Sequence, residues 1–478
     1  MSPPPHLDPE RQHYGITLAV LLVAALAIAL QQTMVAPALP AIQRELETTA
    51  TAVSFVFTAF LLTASISTPI LGRLGDMFGK ERMLVFTLSV FALGSLIAAL
   101  SDSIWTLIAG RAIQGLGAAT FPLAFGIIRD EFPPHRIGTG IGVVSAMFGI
   151  GGGVGLVVSG VIVDRLGYEW LFWLALPMIV AAIGATLRWI PESPHKSPAA
   201  IDWGGAALLS AALVALLIAI SEANSWGWGS VPVLTLLVTA AALLAGWLSY
   251  ERRQAAPLVD IGMMRERSVM ATNLAALLVG FGMFSGFILI PQLVQLPEST
   301  GFGLGASVSG AGMFLVPSSI AMLFAGPLAG WIGDRHDSRL PLVAGTAAAA
   351  TSFLFLALEH DPWAIYLATT LMGIGIGFSF AAMANLIVEA VPPARTGVAT
   401  GMNTIMRTIG GSIGGQVAAA IIAGHIVLVS GLPDEAGFRL GFLVAAAGMA
   451  LALVAALAIP ARDRIAEPEP ATAPGGGG

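Results

Sequence analysis

The chain has 478 residues, of which 56% are hydrophobic and only 10% are charged. Soluble domains carry roughly 25% charged residues, so water is the wrong solvent for most of this chain. The net charge of -6 and the lack of a basic patch with interleaved aromatic residues argue against nucleic acid as a partner. Because the chain has no cysteine, it has neither a disulfide nor a thiolate metal site.

Long apolar runs follow one another along the chain and are bounded by charged residues or by Pro and Gly turns. An α-helix needs roughly 20 apolar residues to cross a bilayer, whereas the strands of a membrane barrel alternate over ~10 residues. The first run is too long for the core of a signal peptide and is predicted to be retained. The pattern predicts an all-α membrane protein with fourteen transmembrane helices, at 15–39, 50–71, 83–100, 104–127, 138–162, 170–190, 203–221, 231–250, 269–290, 309–330, 341–358, 363–387, 397–424 and 438–459.

The distribution of basic residues predicts the orientation of these helices. An even number of spans puts both termini on one side of the membrane, and cytoplasmic loops are enriched in Lys and Arg. Placing the termini in the cytoplasm leaves only Arg44, Arg165 and Arg439 outside, with Arg111 and Arg407 within helices. The expected location is the bacterial plasma (inner) membrane.

Two motifs occur twice, as in many transporters built from repeats. GRLGD recurs 258 positions later as GWIGD, which matches Gly72, Gly75 and Asp76 with Gly330, Gly333 and Asp334. PPHRIGTGIG, which begins at Pro133, recurs as PPARTGVATG from Pro392. The repeat predicts two six-helix halves, with a helix pair inserted between them in the chain that packs peripherally and does not line the central cavity. The expected segments are a cytoplasmic N-terminus at 1–14, a bundle at 15–190, the inserted pair at 203–250, a second bundle at 269–459 and a flexible cytoplasmic tail at 460–478.

The stretch GRLGDMFGKER, which runs from Gly72 to Arg82, resembles the loop between helices 2 and 3 of the major facilitator superfamily. Within that superfamily, the chain resembles the fourteen-span drug:proton antiporters over nearly its whole length. The resemblance implies that Asp76 latches the outward-facing state against a helix of the second half and that Lys80 pairs with Asp130 at the base of helix 4. The glycines, including Gly79, are expected to allow a tight turn and close helix approach. The alternative is a solvated turn that only sets topology.

The stretch LIAGRAIQGLGAA is similar to the helix-4 motif of the same family and includes Arg111 and Gln114. An arginine inside an apolar helix is costly in lipid and is expected to face a cavity or a partner. The resemblance implies a role in proton coupling. The alternative is that Arg111 snorkels or pins helix 4 to helix 1.

Helix 5 aligns with the antiporter motif of the family through its glycines, but Leu156 stands where the family has proline. This departure removes a source of helix kinking. The alternative is an ordinary packing face of small residues. The glycines of this motif are Gly149, Gly153, Gly155 and Gly160.

Helix 1 has Gln31 where the family often has an acidic residue, and all 28 carboxylates fall in loops, tails or helix ends. The only charges expected in mid-helix are Arg111 and Arg407, so the cavity suits neutral or anionic amphiphiles better than cations. For each candidate cavity residue the alternative is helix packing. The candidates are Gln31, Gln32, Met34, Asn273, Met283, Gln292, Asn403 and Arg407.

No catalytic or ATP-binding motif occurs in the chain, so we expect no enzyme activity, cofactor or metal. The predicted function is secondary active export of small amphiphilic compounds, as proton-coupled drug efflux by alternating access. The expected partners are the substrate, protons and the lipid bilayer, and the expected unit is a monomer. Two alternatives remain: transport of an endogenous metabolite or lipid by an uncoupled or differently coupled mechanism, and a non-transporting membrane sensor or scaffold.

Overall fold

The computed structural model describes residues 14–193, 196, 202–254, 257–427 and 432–460. In this part of the chain the regular elements are helices, and the only extended pairing is one isolated bridge between Ile426 and Pro433. The helices are α1 (Tyr14–Glu45), α2 (Ala50–Phe78), α3 (Lys80–Ala99), α4 (Ile104–Leu116), α5 (Thr120–Glu131), α6 (Ile137–Leu166), α7 (Trp170–Trp173), α8 (Ala175–Trp189), α9 (Trp203–Trp226), α10 (Val231–Glu251), α11 (Ile261–Arg265), α12 (Arg267–Gln295), α13 (Val308–Arg335), α14 (Arg339–Leu356), α15 (Pro362–Ala390), α16 (Thr396–Ala423) and α17 (Glu435–Leu457).

Thirteen spans of the described chain are long and apolar enough to cross a membrane. Two of them are broken helices, because α4 continues into α5 and α7 continues into α8. The predicted all-α membrane fold is confirmed. The 30-residue helix α6 would bring the number of spans to fourteen, and that count and the cytoplasmic termini stay predictions. The predicted N-terminal segment and C-terminal tail lie almost wholly outside the described residues.

The helix that carries the first GRLGD motif is longer than predicted. It was expected to end at residue 71, but α2 continues to Phe78 and therefore contains Gly72 and Gly75. The prediction that the motif glycines form a tight turn is wrong for Gly72 and Gly75. Of the three glycines, Gly79 makes the turn, with φ 115°. Only glycine adopts this region of φ without steric cost. Gly72 and Gly75 serve instead to let neighbouring helices approach.

The fourth predicted span is broken in the middle rather than continuous. α4 ends at Leu116 and α5 begins at Thr120. Pro122 has no N–H to donate to the carbonyl four residues earlier, and the N–H groups of Gly117 and Ala118 bond to carbonyls only three residues earlier. The break follows the turn that carries Arg111 and Gln114, so these two side chains lie at the end of a half-helix.

The two halves form separate helical cores that meet along two helix pairs. One core contains Leu84, Phe91 and Leu123, and the other contains Phe353 and Phe442. Between the halves, α6 packs along α13 and α2 packs along α16. Both contacts use glycine, because a Cβ at one glycine would collide with the backbone of the facing helix. The boundary between the halves is therefore a surface of close backbone contact.

The inserted helices lie beside this boundary. α9 packs on both α2 and α16, and α10 packs on α9. Near the C-terminal end of α9, the hydroxyls of Thr58 and Ser221 are 3.3 Å apart and Asn224 donates to Gln416 at 2.7 Å. Most of the α10 surface is exposed. α9 thus contacts one helix of each half, and its exclusion from the transport pathway stays a prediction.

The contact between α9 and α2 can be tested by crosslinking, because the chain has no native cysteine. We expect Thr58→Cys combined with Ser221→Cys to form a crosslink on mild oxidation or with a short bifunctional thiol reagent. The readout is a mobility shift after cleavage at a protease site introduced into the segment between α8 and α9. Thr58→Cys combined with Val238→Cys, on the exposed face of α10, is the matched control and should not crosslink. Equal crosslinking of both pairs would contradict this packing.

Candidate functional site

The carboxylate of Asp76 caps the first turn of α16. Its two oxygens accept hydrogen bonds from the backbone N–H groups of Gly397 at 3.1 Å and Val398 at 3.2 Å. The first N–H groups of a helix have no partner within the helix and carry its positive dipole, so a carboxylate is well suited to this position. The Asp76 side chain is fully buried. The first half of the chain is thereby bonded to the start of a helix of the second half.

The second copy of the motif makes the same contact in the opposite direction. Asp334 accepts hydrogen bonds from the N–H of Gly138 at 2.7 Å and from the N–H and hydroxyl of Thr139 at 2.8 Å and 2.7 Å. Gly138 and Gly397 are equivalent positions in the second repeated motif. Each GxxGD copy therefore binds the start of the helix that follows the Pro-Pro motif of the other half.

Glycines bring the helices of each pair close enough for these bonds. A Cβ built on Gly72 would lie 2.5 Å from the carbonyl oxygen of Gly397, and one on Gly138 would lie 2.9 Å from that of Gly330. Neither distance is available to a side chain. Gly333 packs beside the Ser338 hydroxyl and is not at the boundary.

An ion pair in the first half lies next to the Asp76 cap. Lys80 donates to Asp130 at 2.6 Å, and both side chains are almost fully buried. The Ser193 hydroxyl lies 3.3 Å from the Lys80 ammonium and also bonds Asp130. Glu192 contacts Arg82 at 3.0 Å. The segment that follows the last helix of the first half thus docks on the loop between α2 and α3. The sequence analysis missed Ser193 and Glu192, although PESP marks a polar stretch directly after a span.

The matching positions of the second half hold a serine and a glutamate. Ser338 stands at the position that matches Lys80 and donates to Glu389 at 2.7 Å, and Glu389 stands at the position that matches Asp130. Arg129, which was also not predicted from the sequence, donates to the Thr396 hydroxyl at 2.7 Å and so joins α5 to the start of α16. The repeat therefore keeps both helix caps and the acidic position, but a neutral hydroxyl replaces the lysine.

Arg111 is fully buried at the end of α4. Its guanidinium donates to the Val56 carbonyl at 3.1 Å and to Gln114 at 2.6 Å, and it lies 4.4 Å above the Phe60 ring. The charge is therefore solvated by a carbonyl, an amide and an aromatic face. Its contacts tie α4 to α2 and not directly to α1.

A chain of hydrogen bonds links the Arg111 partner to helix 1. Gln114 donates to the Ser95 hydroxyl at 2.8 Å, and Ser95 is 3.0 Å from the Gln31 side-chain oxygen, to which it donates. Gln31 is fully buried, and its Nε2 has no hydrogen-bond partner within the described part of the chain. Sequence reasoning missed Ser95, because nothing in the sequence says which face of α3 turns towards Gln31 and Gln114.

Arg407 occupies a different environment at the boundary between the halves. Its guanidinium lies 5.0 Å above the Phe148 ring and 4.3 Å above the Phe380 ring. Phe148 belongs to α6 and also stacks on Phe121 at 4.1 Å, while Phe380 belongs to α15. Arg407 is only partly buried. A positive charge framed by aromatic rings from both halves can attract an anionic or aromatic group.

The remaining predicted cavity residues do not gather around Arg407. Asn403 donates to Asn273 at 3.0 Å and so joins α16 to α12. Met34 and Met283 are buried in the helix cores. Of the last two, Gln32 is partly exposed and Gln292 is exposed near the end of α12. Helix packing accounts for most of this set, and Arg407 is the member that the structure places between the halves.

The helix 5 glycines lie in α6 and face its neighbours. Gly149 packs against Met322 of α13, and Gly155 packs against Thr33 of α1. The Thr33 hydroxyl also donates to the Gly151 carbonyl at 2.5 Å. Gly160 is partly exposed, and the surroundings of Gly153 lie outside the described part of the structure. α6 is thus held between one helix of each half, as the packing alternative describes.

Comparisons with known proteins agree with this architecture. The sequence model of the Major Facilitator Superfamily matches residues 21–415 and also 304–476. The tetracenomycin C resistance and export protein of Streptomyces glaucescens is 29% identical over 388 residues, which cover 80% of this chain and 71% of that protein. Multidrug resistance protein 3 of Bacillus subtilis (strain 168) is 27% identical over 384 residues, covering 79% and 74%.

A solved structure shows the same fold. The crystal structure of the human organic anion transporter MFSD10 (TETRAN) superposes with a TM-score of 0.67 over 94% of this chain and 100% of that chain, at 16% identity. At this identity the likeness concerns the fold alone. The family match and the bacterial relatives identify a multi-pass transporter of the bacterial plasma (inner) membrane. The chain belongs to the Major Facilitator Superfamily, in the branch that resembles its multidrug efflux members.

Proposed function

We propose that this protein exports small amphiphilic compounds, including drugs, by alternating access. The observation that supports this most directly is the reciprocal capping of α16 by Asp76 and of α6 by Asp334. Both caps lie at one end of the bundle, which the distribution of Lys and Arg predicts to be cytoplasmic. Two such contacts between the halves at this end support an outward-facing state, which would be closed there. The names of the two bacterial relatives favour drug export over transport of an endogenous metabolite.

The caps are suited to a gate because each is moderately stable. A carboxylate at a helix N-terminus contributes about 0.3–1 kcal/mol, and up to ~2 kcal/mol when it is partly buried. Opening this end would break two such contacts and separate helices that meet through glycines. A purely structural scaffold has no need for two breakable bonds at this boundary. Transport is therefore favoured over a non-transporting sensor or scaffold.

The proposed coupling ion is the proton, which requires a group that changes charge during the cycle. Arg111 has no carboxylate partner among the described residues, and its Nη2 has no hydrogen-bond partner. Gln31 cannot carry a proton in place of the acid that the family often has in helix 1. A pH gradient imposed on proteoliposomes, with uptake measured in both directions, tests the coupling.

The gate predicts that Asp76→Asn and Asp334→Asn each reduce transport at least several-fold while expression stays near normal. Asn keeps one acceptor but turns an NH2 group towards a backbone N–H, so one of the two cap bonds becomes repulsive. The measurement is drug efflux from cells together with the amount of protein in the membrane. Asp102→Asn, at an exposed loop position, is the control. Full transport by both gate variants would leave the motif only a role in topology.

The buried ion pair predicts non-additive effects. We expect Lys80→Met or Asp130→Asn alone to destabilise the protein by about 3–5 kcal/mol, because each leaves a buried charge without its partner. The double variant should recover much of this loss, because it leaves neither charge unpaired. The measurement is thermal unfolding of the purified protein in detergent, beside transport. Strictly additive losses in the double variant would mean that the two charges act independently.

The position of Arg407 predicts the charge preference of the substrate. We expect neutral and anionic amphiphiles to be exported better than permanent cations such as ethidium. Arg407→Gln should reduce transport of anionic compounds about 5-fold or more and change neutral ones less, because an unpaired charge at a site changes affinity by a few kcal/mol. Arg407→Lys retains the charge and serves as the matched control. Efficient ethidium export that Arg407→Gln leaves unchanged would contradict this prediction.

A further inference from the structure

Two carboxylates face each other where the inserted helices α9 and α10 meet the segment that follows them. Asp202 immediately precedes α9, and Glu251 is the last residue of α10. An oxygen of each side chain lies within 2.6 Å of the point where a Cβ would stand on Gly205, so the two oxygens are at most about 5 Å apart. Glu251 is 2% exposed. These side chains take no part in the proposed gate or in the Arg407 site.

The hydrogen bonds of this pair use one oxygen of each side chain, and the two other oxygens face each other. Asp202 Oδ1 accepts from the N–H of Gly205 at 2.8 Å and from the Tyr250 hydroxyl at 3.3 Å. Glu251 Oε1 accepts from the N–H of Val259 at 2.6 Å. Among the residues that the structure describes, Asp202 Oδ2 and Glu251 Oε2 have no donor. Two ionised carboxylates in this arrangement would repel each other with nothing between them.

Neighbouring charges do not neutralise the pair. Among the described residues, no Lys, Arg or His forms an ion pair with Asp202 or Glu251. Tyr250 is the other titratable group in contact with the pair, and it is neutral as a donor. Arg252 and Arg253 follow Glu251 in the chain but are exposed. One proton between the two oxygens would supply the missing donor and remove one of the two negative charges.

We propose that Asp202 and Glu251 hold one shared proton between Oδ2 and Oε2, so that the inserted helix pair carries a protonation site of its own. The proton comes from water at that end of the bundle, and no bond other than O–H forms or breaks. Its loss leaves two negative charges side by side, one of them on the buried Glu251.

The segment between α10 and α11 connects this carboxylate pair to the gate. Glu251 holds Val259, and the next residue, Asp260, forms an ion pair with Arg395. Burial would raise the pKa of Asp260, but the N–H groups of Met263 and Gly262 and the Arg395 charge lower it below its usual value. Asp260 is therefore ionised at neutral pH and keeps Arg395 at the start of α16. Release of the proton at Glu251 would strain the connection that positions this part of the gate.

The test uses the purified full-length protein and does not depend on transport. From about pH 5.5 to about pH 9, the infrared spectrum should lose a carbonyl band of a protonated carboxylic acid, and the melting temperature should fall by at least about 2 °C. The stability is lost as pH rises because the folded state holds a proton that the unfolded chain releases at lower pH. Glu251→Gln places an NH2 donor on Asp202 Oδ2 and should abolish both changes.

A second variant and a control complete the experiment. Asp202→Asn donates to Glu251 from the other side and should also abolish both changes, which keeps the test valid if one variant does not fold. Glu222→Gln, at a buried glutamate whose carboxylate accepts from Ser225 at 2.8 Å, should keep the wild-type profile. Persistence of the carboxylic acid band in both pair variants would overturn the proposal. A higher melting temperature of the wild type in sodium or potassium salts than in choline salts at high pH would also overturn it, because the pair would then bind a metal cation.

Discussion

The bond between a carboxylate and the first turn of a helix in the other half is the constraint on which this structure depends. Because the N–H groups at a helix start are fixed in direction, Asp76 can accept from two of them only if α2 and α16 meet at backbone distance. Glycine at both contact points allows this distance. Asp334 imposes the same condition on α13 and α6. The two helix pairs that join the halves therefore follow from two side chains and their glycines.

The surroundings of the two caps differ, although the backbone repeat is closely maintained. On the first-half side, a buried ion pair and Ser193 attach the segment after α8 to the loop beside Asp76. On the second-half side, a neutral Ser338 bonds Glu389 instead. A buried lysine thus stands beside one cap and a neutral hydroxyl at the matching position beside the other. The symmetry of the backbone therefore does not extend to every charged position.

The sequence was informative about helices and repeats and much less so about which side chains meet. Hydropathy located the spans because lipid requires long apolar helices. Helix α2 nevertheless extends beyond its predicted end, because the charged GRLGD motif remains helical beyond the apolar run. The spacing of the repeat identified Asp76 and Asp334, and the family resemblance implied a partner in the second half for Asp76, but neither predicted the reciprocal bond of Asp334. Ser95 and the rings around Arg407 were missed because their roles depend on helix rotation, which apolar periodicity fixes poorly when a helix is apolar on all sides. Ser193 was missed because it lies after α8, outside any helix.

Arg111 and Arg407 show how two similar sequence signals lead to different physical environments. Both are arginines in apolar helices, and both interact with aromatic rings. Arg111 is sealed by Val56, Gln114 and Phe60, so a substrate cannot reach its charge without first separating α4 from α2. Arg407 is partly exposed and stands against rings from each half. If the halves move, the surroundings of Arg407 must change, while those of Arg111 can move as one unit. We therefore propose Arg407, rather than Arg111, as the charge that acts on a substrate and varies through the cycle.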